Sequence, residues 1–397
     1  MHPADEIRGV KSKKLLKKRI VIAVTGSIAA VETIKLSREL IRHGAEVIPI
    51  MTPSAKNIIH PDSLWFATGN NPITELTGKT EHVYFCGKIN EPVDLLLICP
   101  CTANTISKIA HGIDDTVVTT FATTAIGSGV PILIVPAMHL SMYDHKIVQK
   151  NIEECKKLGI KFIEPIIEKN KARIAETSEI ISYVFRETCN QDLLDKKILI
   201  IGGPTAESID DVRIVINRSS GKTAIELAKE AFYRGANVEL FYGSGIISPP
   251  NFIEYEKFES LDDLKNLLDK KNLKKYEIII LCAALSDYIP KRQKGKIPSG
   301  KEKLIVEFSH AQKIISKLRE KTPGSKIIGF KLEEKKDKLH KRAFTLLKSN
   351  NLDFVVANTI SGLTKDENEI WIIDKKGKNI HKKGDKSQLA SYILDVI

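Results

Sequence analysis

Asn217, Ser219, Ser220, Gly221 and Lys222 crowd into one stretch, INRSSGKTAIELA, Ile216 to Ala228. Gly-Lys-Thr running into an apolar periodicity is how a nucleotide-gripping P-loop ends, with a lysine and a hydroxyl at a helix start. That loop needs a glycine five residues before Gly221, and Ile216 stands there. A β-branched residue lacks the backbone freedom that a phosphate-wrapping loop takes from glycine. The P-loop reading fails, and the close packing of amide, hydroxyls and cation calls for another chemistry.

A second group of candidates follows apolar runs in the first half. Gly26, Ser27 and Ile28 come after the run 20–24, and Thr52 and Ser54 after AEVIPIM. Thr102, Ala103 and Asn104 follow PVDLLLICPC, a run expected to break at Pro100; Ala137, Met138 and His139 follow VPILIVP, broken at Pro136. In an open α/β sheet, ligands sit beyond the carboxyl ends of the strands, so these turns converge on one crevice. Small, hydroxylated and amide residues at helix starts suit a phosphorylated ligand with a flat, uncharged ring.

The elements that must hold these residues form two similar units. Apolar run 20–24, a 3.6-period segment Ile28–Ile41 ended by His43-Gly44, and AEVIPIMT read as βαβ. KKILIIGGPT, a helix over 222–234 and RGANVELFYG repeat the plan. The fold class is α/β, with two doubly wound Rossmann-like domains, 1–190 and 191–397. A helix-like stretch, TSEIISYVFRETCNQ, closes the first. Neither half carries G-x-G-x-x-G, which argues against a nicotinamide-dependent dehydrogenase.

Composition narrows the classes. The chain of 397 residues is too long for one ordinary core. No apolar run approaches the roughly 20 residues that span a bilayer, and KSKKLLKKR interrupts any signal-type segment, so a cytoplasmic, membrane-free protein is expected. Six dispersed cysteines, Cys155 among them, read as free thiols. The net charge is +12, but six of the positive residues lie in Lys11–Arg19 with no interleaved aromatics. That pattern fits a solvated tail plus sites for phosphorylated small molecules, not nucleic acid.

Taken together, the motifs resemble a known pair of families. TGSIAAVET, EHVYF, PCTANTISKIAHGIDD and PAMHLSMY are similar to homo-oligomeric flavin-containing cysteine decarboxylases, which places a flavodoxin-like flavoprotein domain first. GGPTAESIDDVRIVINRSSGK, CAALSDY, KIPSGK and IGFKLEE resemble phosphopantothenate–cysteine ligase. Joined in this order, and over nearly the whole chain, they resemble the bifunctional enzymes of coenzyme A biosynthesis. The resemblance implies that CTP, with Mg²⁺, activates the carboxylate of 4'-phosphopantothenate as an acyl-cytidylate, from which the amine of cysteine displaces CMP. It implies FMN and decarboxylation of the resulting thiol compound to 4'-phosphopantetheine in the first domain. Two alternatives are a flavin-fold binding or regulatory protein without catalysis, and the dehydrogenase already mentioned.

Residue by residue, the resemblance carries the following roles. Asn217 would hydrogen-bond the acyl intermediate, Arg213 would pair with carboxylate or phosphate, and Lys296 would neutralise phosphate charge during attack. Gly203, Ser219, Ser220, Gly221, Lys222, Cys282, Ala283, Ala284, Asp287, Phe330 and Lys348 would line the nucleotide and substrate site. Gly26, Ser27, Ile28, Thr52, Ser54, Thr102, Ala103, Asn104, Ala137 and Met138 would hold FMN. His82 matches the catalytic histidine of the decarboxylases, where a near-neutral pKa suits proton handling. Relatives assemble as homo-oligomers, with trimeric flavin domains and dimeric ligase contacts.

Two departures stand out. Relatives carry asparagine after Pro-Ala-Met to hold the substrate carboxylate, and this chain has His139, expected buried or half-buried there. Bacterial relatives also bear a catalytic cysteine on a flap, whereas IEPIIEKNKARIAETSEI has none. Cys155, nearby in QKNIEECKKLG, reads as structural.

Overall fold

The structure, a computed structural model, describes residues 2–300, 302–360 and 367–397. It divides into two compact units, Met1–Cys189 and Asn190–Ile397.

In the first unit, β1 (Arg19–Val24), β2 (Glu46–Met51), β3 (Leu95–Cys101) and β4 (Ile132–Pro136) are followed by short β5 (Met138–His139) and β6 (Lys161–Phe162). A hairpin of β7 (Ile166–Glu168) and β8 (Lys171–Arg173) comes next. The main sheet has the order β2-β1-β3-β4-β6, and every pairing in it is parallel. Parallel strands are covered on both faces, so they read as unbroken apolar runs. Ile20 through Val24 all reach 0% exposure. Each Ile and Val among them contributes roughly 1.5–3 kcal/mol by leaving water.

Two local expectations change. The helix expected from Ile28 opens as a 3-10 turn, Ile28–Val31, before the α-helix Glu32–Arg42; such tighter turns are common at helix starts. The strand expected to break at Pro100 continues to Cys101 as β3. A register shift between Ile98 and Cys101 absorbs the missing N–H, and Pro100 O instead accepts from the Thr25 hydroxyl at 2.8 Å.

The second unit begins with β9 (Lys197–Gly202), a ribbon of β10 (Ala206–Ser208) and β11 (Ile214–Ile216), then β12 (Asn237–Tyr242) and β13 (Glu254–Lys257). It continues with β14 (Ile278–Leu281), the pair β15 (Tyr288–Pro290) and β16 (Phe308–His310), and β17 (Lys326–Glu333). β18 (Phe354–Thr359), β19 (Glu367–Asp374) and β20 (Asn379–Asp385) complete it. The large sheet runs β13-β12-β9-β14-β17-β18-β19-β20. Chain order reverses between β9 and β14, the topological switch where doubly wound sheets bind ligands. The parallel part matches the expected α/β plan, while β19 and β20 add antiparallel strands that the apolar patterns did not announce.

Candidate active sites

In the first unit the strand-end turns are tied to one another. Thr25 Oγ1 accepts from the Thr102 N–H at 3.1 Å, Ser27 Oγ donates to Ala137 O at 3.1 Å, and Ala137 N–H donates to Cys101 O. A Cβ added at Gly26 would lie 2.6 Å from Ser54 Cβ, so only glycine lets the first and second turns approach this closely. Thr52 and Thr102 cap the helices Pro53–Lys56 and Ala103–Ala110 through their hydroxyls. Ile28, Ser54 and Asn104 are exposed at these turns, and neither Ser54 nor Asn104 spends its side chain on a protein partner among the described residues. The residues proposed for the flavin therefore cluster at the carboxyl edge of the sheet.

His139 extends that cluster and is exposed rather than buried. The reason is strand pairing: β5 joins β8 of the 166–173 hairpin, with Met138 opposite Ala172 and His139 opposite Lys171. Directly opposed residues share a face, so Met138 and buried Ala172 turn inward while His139 and Lys171 face out. Leu140 N–H donates to Asn170 O at the hairpin tip.

His82 is not brought to these turns within the chain. Its helix, Glu81–Cys86, is anchored at the amino edge of the sheet. The guanidinium of Arg19, first residue of β1, lies 5.6 Å from the Phe85 ring, and the Ser128 hydroxyl donates to Cys86 O. His82 Nδ1 is buried and has no hydrogen-bond partner among the described residues. Cys155 lies in the apolar core with its thiol pushed up to about 12 by burial, as befits a packing residue.

The second unit holds a cavity of about 550 Å³ at its topological switch. Gly203, Asn217, Ser219, Ser220, Gly221, Lys222, Cys282, Ala283, Ala284, Asp287 and Phe330 all line it. Gly221 starts the helix Lys222–Tyr233 with φ +78°, and a Cβ there would strike the Tyr242 hydroxyl. Asn217 Nδ2 donates to Ala284 O at 3.1 Å and reaches Leu285 O at 3.4 Å, which fixes the amide and leaves Oδ1 for a ligand's donor. Burial pushes the Cys282 thiol up to about 12, so it serves as wall and not as nucleophile.

Arg218, Lys222, Lys313, Lys331 and Lys386 line the cavity against a single acid, Asp287, among the described residues. Lys313, Lys331, Asn358, Asn368 and Lys386 escaped the sequence reading. They come from β17, β18, β19 and two helix starts, and only the sheet order unites them. Three expected contacts do not line it. Lys348 sits outside on the helix Lys336–Ser349, its ammonium 4.6 Å from the Phe344 ring, because the helix turns Leu346 toward the cavity instead. Arg213 is engaged by Asp210, and Lys296 projects from a neighbouring loop.

These two sites belong to a flavoprotein domain followed by a pantothenate-metabolism domain. A flavoprotein family model matches residues 9–188, and the DNA/pantothenate metabolism flavoprotein C-terminal domain matches residues 193–397. The chain is 43% identical to the coenzyme A biosynthesis bifunctional protein CoaBC of Thermococcus kodakarensis, covering 100% of this chain and 99% of that one. It is 38% identical to the Methanocaldococcus jannaschii protein of the same name, over 100% and 97%, and 33% to that of Borreliella burgdorferi, over 96% and 99%. The chain belongs to the CoaBC family of bifunctional coenzyme A biosynthesis proteins.

Proposed function

We propose that this chain makes 4'-phosphopantetheine in two consecutive steps, with the ligase in residues 191–397 and the FMN-dependent decarboxylase in residues 1–190. The observation that carries the ligase reading is the cavity at the strand-order switch, lined by five cationic side chains, of which Lys331 also pairs with Glu333 at 3.1 Å. A nucleoside triphosphate and a phosphorylated acid bring several negative charges to one place, and such a wall offsets them. The carboxylate of 4'-phosphopantothenate attacks the α-phosphorus of CTP, pyrophosphate leaves, and the acyl-cytidylate forms. Asn217, its amide fixed by Ala284, offers Oδ1 to the incoming amine of cysteine and orients the acyl group. The amine then adds at the acyl carbon and CMP departs. No cluster of three or more His, Cys, Asp and Glu side chains stands ready for a metal among the described residues. Mg²⁺ held mainly by the triphosphate fits that, since it keeps several waters and uses few protein ligands.

FMN fits the turns of the first unit: the close approach at Gly26, the capped helix starts at Thr52 and Thr102, and the uncommitted side chains of Ser54 and Asn104 suit a phosphorylated cofactor. When bound, FMN would take two electrons from the substrate thiol, which lets the neighbouring carboxylate leave as CO₂, and would return them to the resulting enethiol, so that loss of CO₂ is the only net change. His139 faces outward beside this crevice and can donate to the substrate carboxylate. His82, orphaned at Nδ1, handles a proton. Because its helix is anchored at the opposite edge of the sheet, His82 reaches the crevice of a second copy rather than its own.

That arrangement supports a homo-oligomer, and trimeric flavin domains are the form that the resemblance implies. Exposed Val212, Ile214, Val215 and Tyr288 on the β10–β11 and β15–β16 ribbons support dimeric ligase contacts. No helix among the described residues is long and apolar enough to cross a membrane. The test separates the ligase steps. Lys296→Gln should block pyrophosphate release, while Asn217→Asp should release pyrophosphate and accumulate acyl-cytidylate. Arrest of both variants at one step would overturn the assignment.

A further inference from the structure

The residues on either side of Lys296 are gripped by two consecutive carboxylates. Asp210 Oδ2 accepts from the Ile297 N–H at 3.0 Å, and Asp211 Oδ2 accepts from the Gly295 N–H at 3.0 Å. The other oxygens are also committed. Asp210 Oδ1 accepts from the Val212 and Arg213 N–H groups at 2.8 and 2.6 Å, which shapes the turn into β11. Asp211 Oδ1 pairs with Arg292 at 2.9 Å. Arg213 closes the clasp: Nη1 donates to Asp210 Oδ2 and lies 3.3 Å from Ile297 O. Gln293 N–H donates to Ile209 O, and Asp211 N–H to Gly295 O.

Asp210 is fully buried at its side chain, and the Ile297 N–H, with the turn's other donors, holds its carboxyl well below the usual carboxylate range. Lys296 itself is exposed, and its ammonium has no ion pair or hydrogen bond among the described residues. The chain thus spends two carboxylates and a guanidinium on the backbone around a lysine whose own charge is left uncommitted. The same turn launches β11, which leads directly to Asn217.

We propose that Asp210 and Asp211 are positioning residues for Lys296, holding its loop in a fixed frame with Asn217 so that the ammonium meets the nucleotide's phosphates during acyl-cytidylate formation. Arg213 belongs to this clasp, which explains why its fork is absent from the cavity wall. The inference rests on the phosphate role of Lys296 stated above. A charge that stabilises a transition state does so only if it arrives pre-positioned, and displacement by about 1 Å can cost on the order of a hundredfold in rate.

The test uses the full chain and measures pyrophosphate released from CTP with 4'-phosphopantothenate before cysteine is added. Asp211 is exposed, so Asp211→Ala keeps the fold, which an unchanged melting temperature verifies. Its rate should fall about ten- to hundredfold, with Asp211→Asn, which keeps one acceptor, recovering part of the loss. On the residual pyrophosphate release of Lys296→Gln, followed at high enzyme concentration, the Asp211→Ala change should cost nothing further, a coupling that a merely structural role would not give. Equal losses from Asp211→Ala in both backgrounds, or none in the native one, would overturn the inference while leaving Lys296 in its role. Wild-type pyrophosphate release by Lys296→Gln would overturn both.

Discussion

The two halves solve the problem of building a site differently. The ligase cavity is walled by one chain, and its cations, amide and aromatic side chain come from the switch between β9 and β14, from the strands beyond it and from helix starts. The flavoprotein crevice gathers its turns at one sheet edge but leaves His139 exposed there and anchors the His82 helix at the other edge. The ligase strand order reverses between β9 and β14 and the flavoprotein order between β1 and β3, so each gives a ready-made cleft; we propose that only the second completes its chemistry by contact with another copy. The first kind of site should survive dilution, and the second should not.

The largest effect should come from His82→Gln. Loss of a general acid or base costs roughly 10²–10⁴-fold, so decarboxylation should nearly vanish while ligase turnover stays at the wild-type rate. Mixing His82→Gln with an FMN-site variant such as Gly26→Val should restore part of the activity through mixed oligomers. No restoration would show that each crevice uses its own histidine. His139→Ala should lose a hydrogen bond to a charged group worth about 1.5–3 kcal/mol, a ten- to hundredfold fall in kcat/KM for decarboxylation, with FMN fluorescence quenching unchanged. Activity retained in that variant, together with arrest of Cys155→Ser, would transfer the key role to the buried thiol.

A smaller effect concerns acid stability of the ligase half. Burial alone would raise the pKa of Glu239, but hydrogen bonds from Lys271, Tyr276 and Lys275 outweigh it and lower it to about 2. A folded-state pKa depressed from 4.5 gives stability that is present above pH 4.5 and is lost as pH falls toward 2. Glu239→Gln should therefore unfold more easily at pH 7 and show a flatter decline between pH 4.5 and pH 2 by denaturant titration. A decline as steep as that of the native chain would remove Glu239 from this account.

Much of this was legible in the sequence because parallel strands are continuous apolar runs and their ends carry distinctive turns. Gly26, Thr52, Thr102 and Ala137 follow such runs, and the structure ties their turns together. The residues from Asn217 to Lys222 stood out by density alone. Lys313, Lys331, Asn358, Asn368 and Lys386 did not, since each is an ordinary residue until the order β14-β17-β18-β19 brings its element to the cavity. The exposure of His139 was hidden for a related reason. Pairing between β5 and β8 joins segments about 30 residues apart through strands too short to show a periodicity. Arg213 suits an anion by its type, and its engagement by Asp210 was not legible because a tight turn brings the two together.

The central claim, that both halves act in sequence on one compound, is tested most directly by stoichiometry. The full chain with FMN, CTP, Mg²⁺, 4'-phosphopantothenate and cysteine is followed by mass spectrometry and by CO₂ and pyrophosphate release. The account predicts 4'-phosphopantetheine, with CMP, pyrophosphate and CO₂ appearing in equal amounts. Accumulation of the cysteine adduct with pyrophosphate but no CO₂, or no consumption of CTP at all, would contradict it.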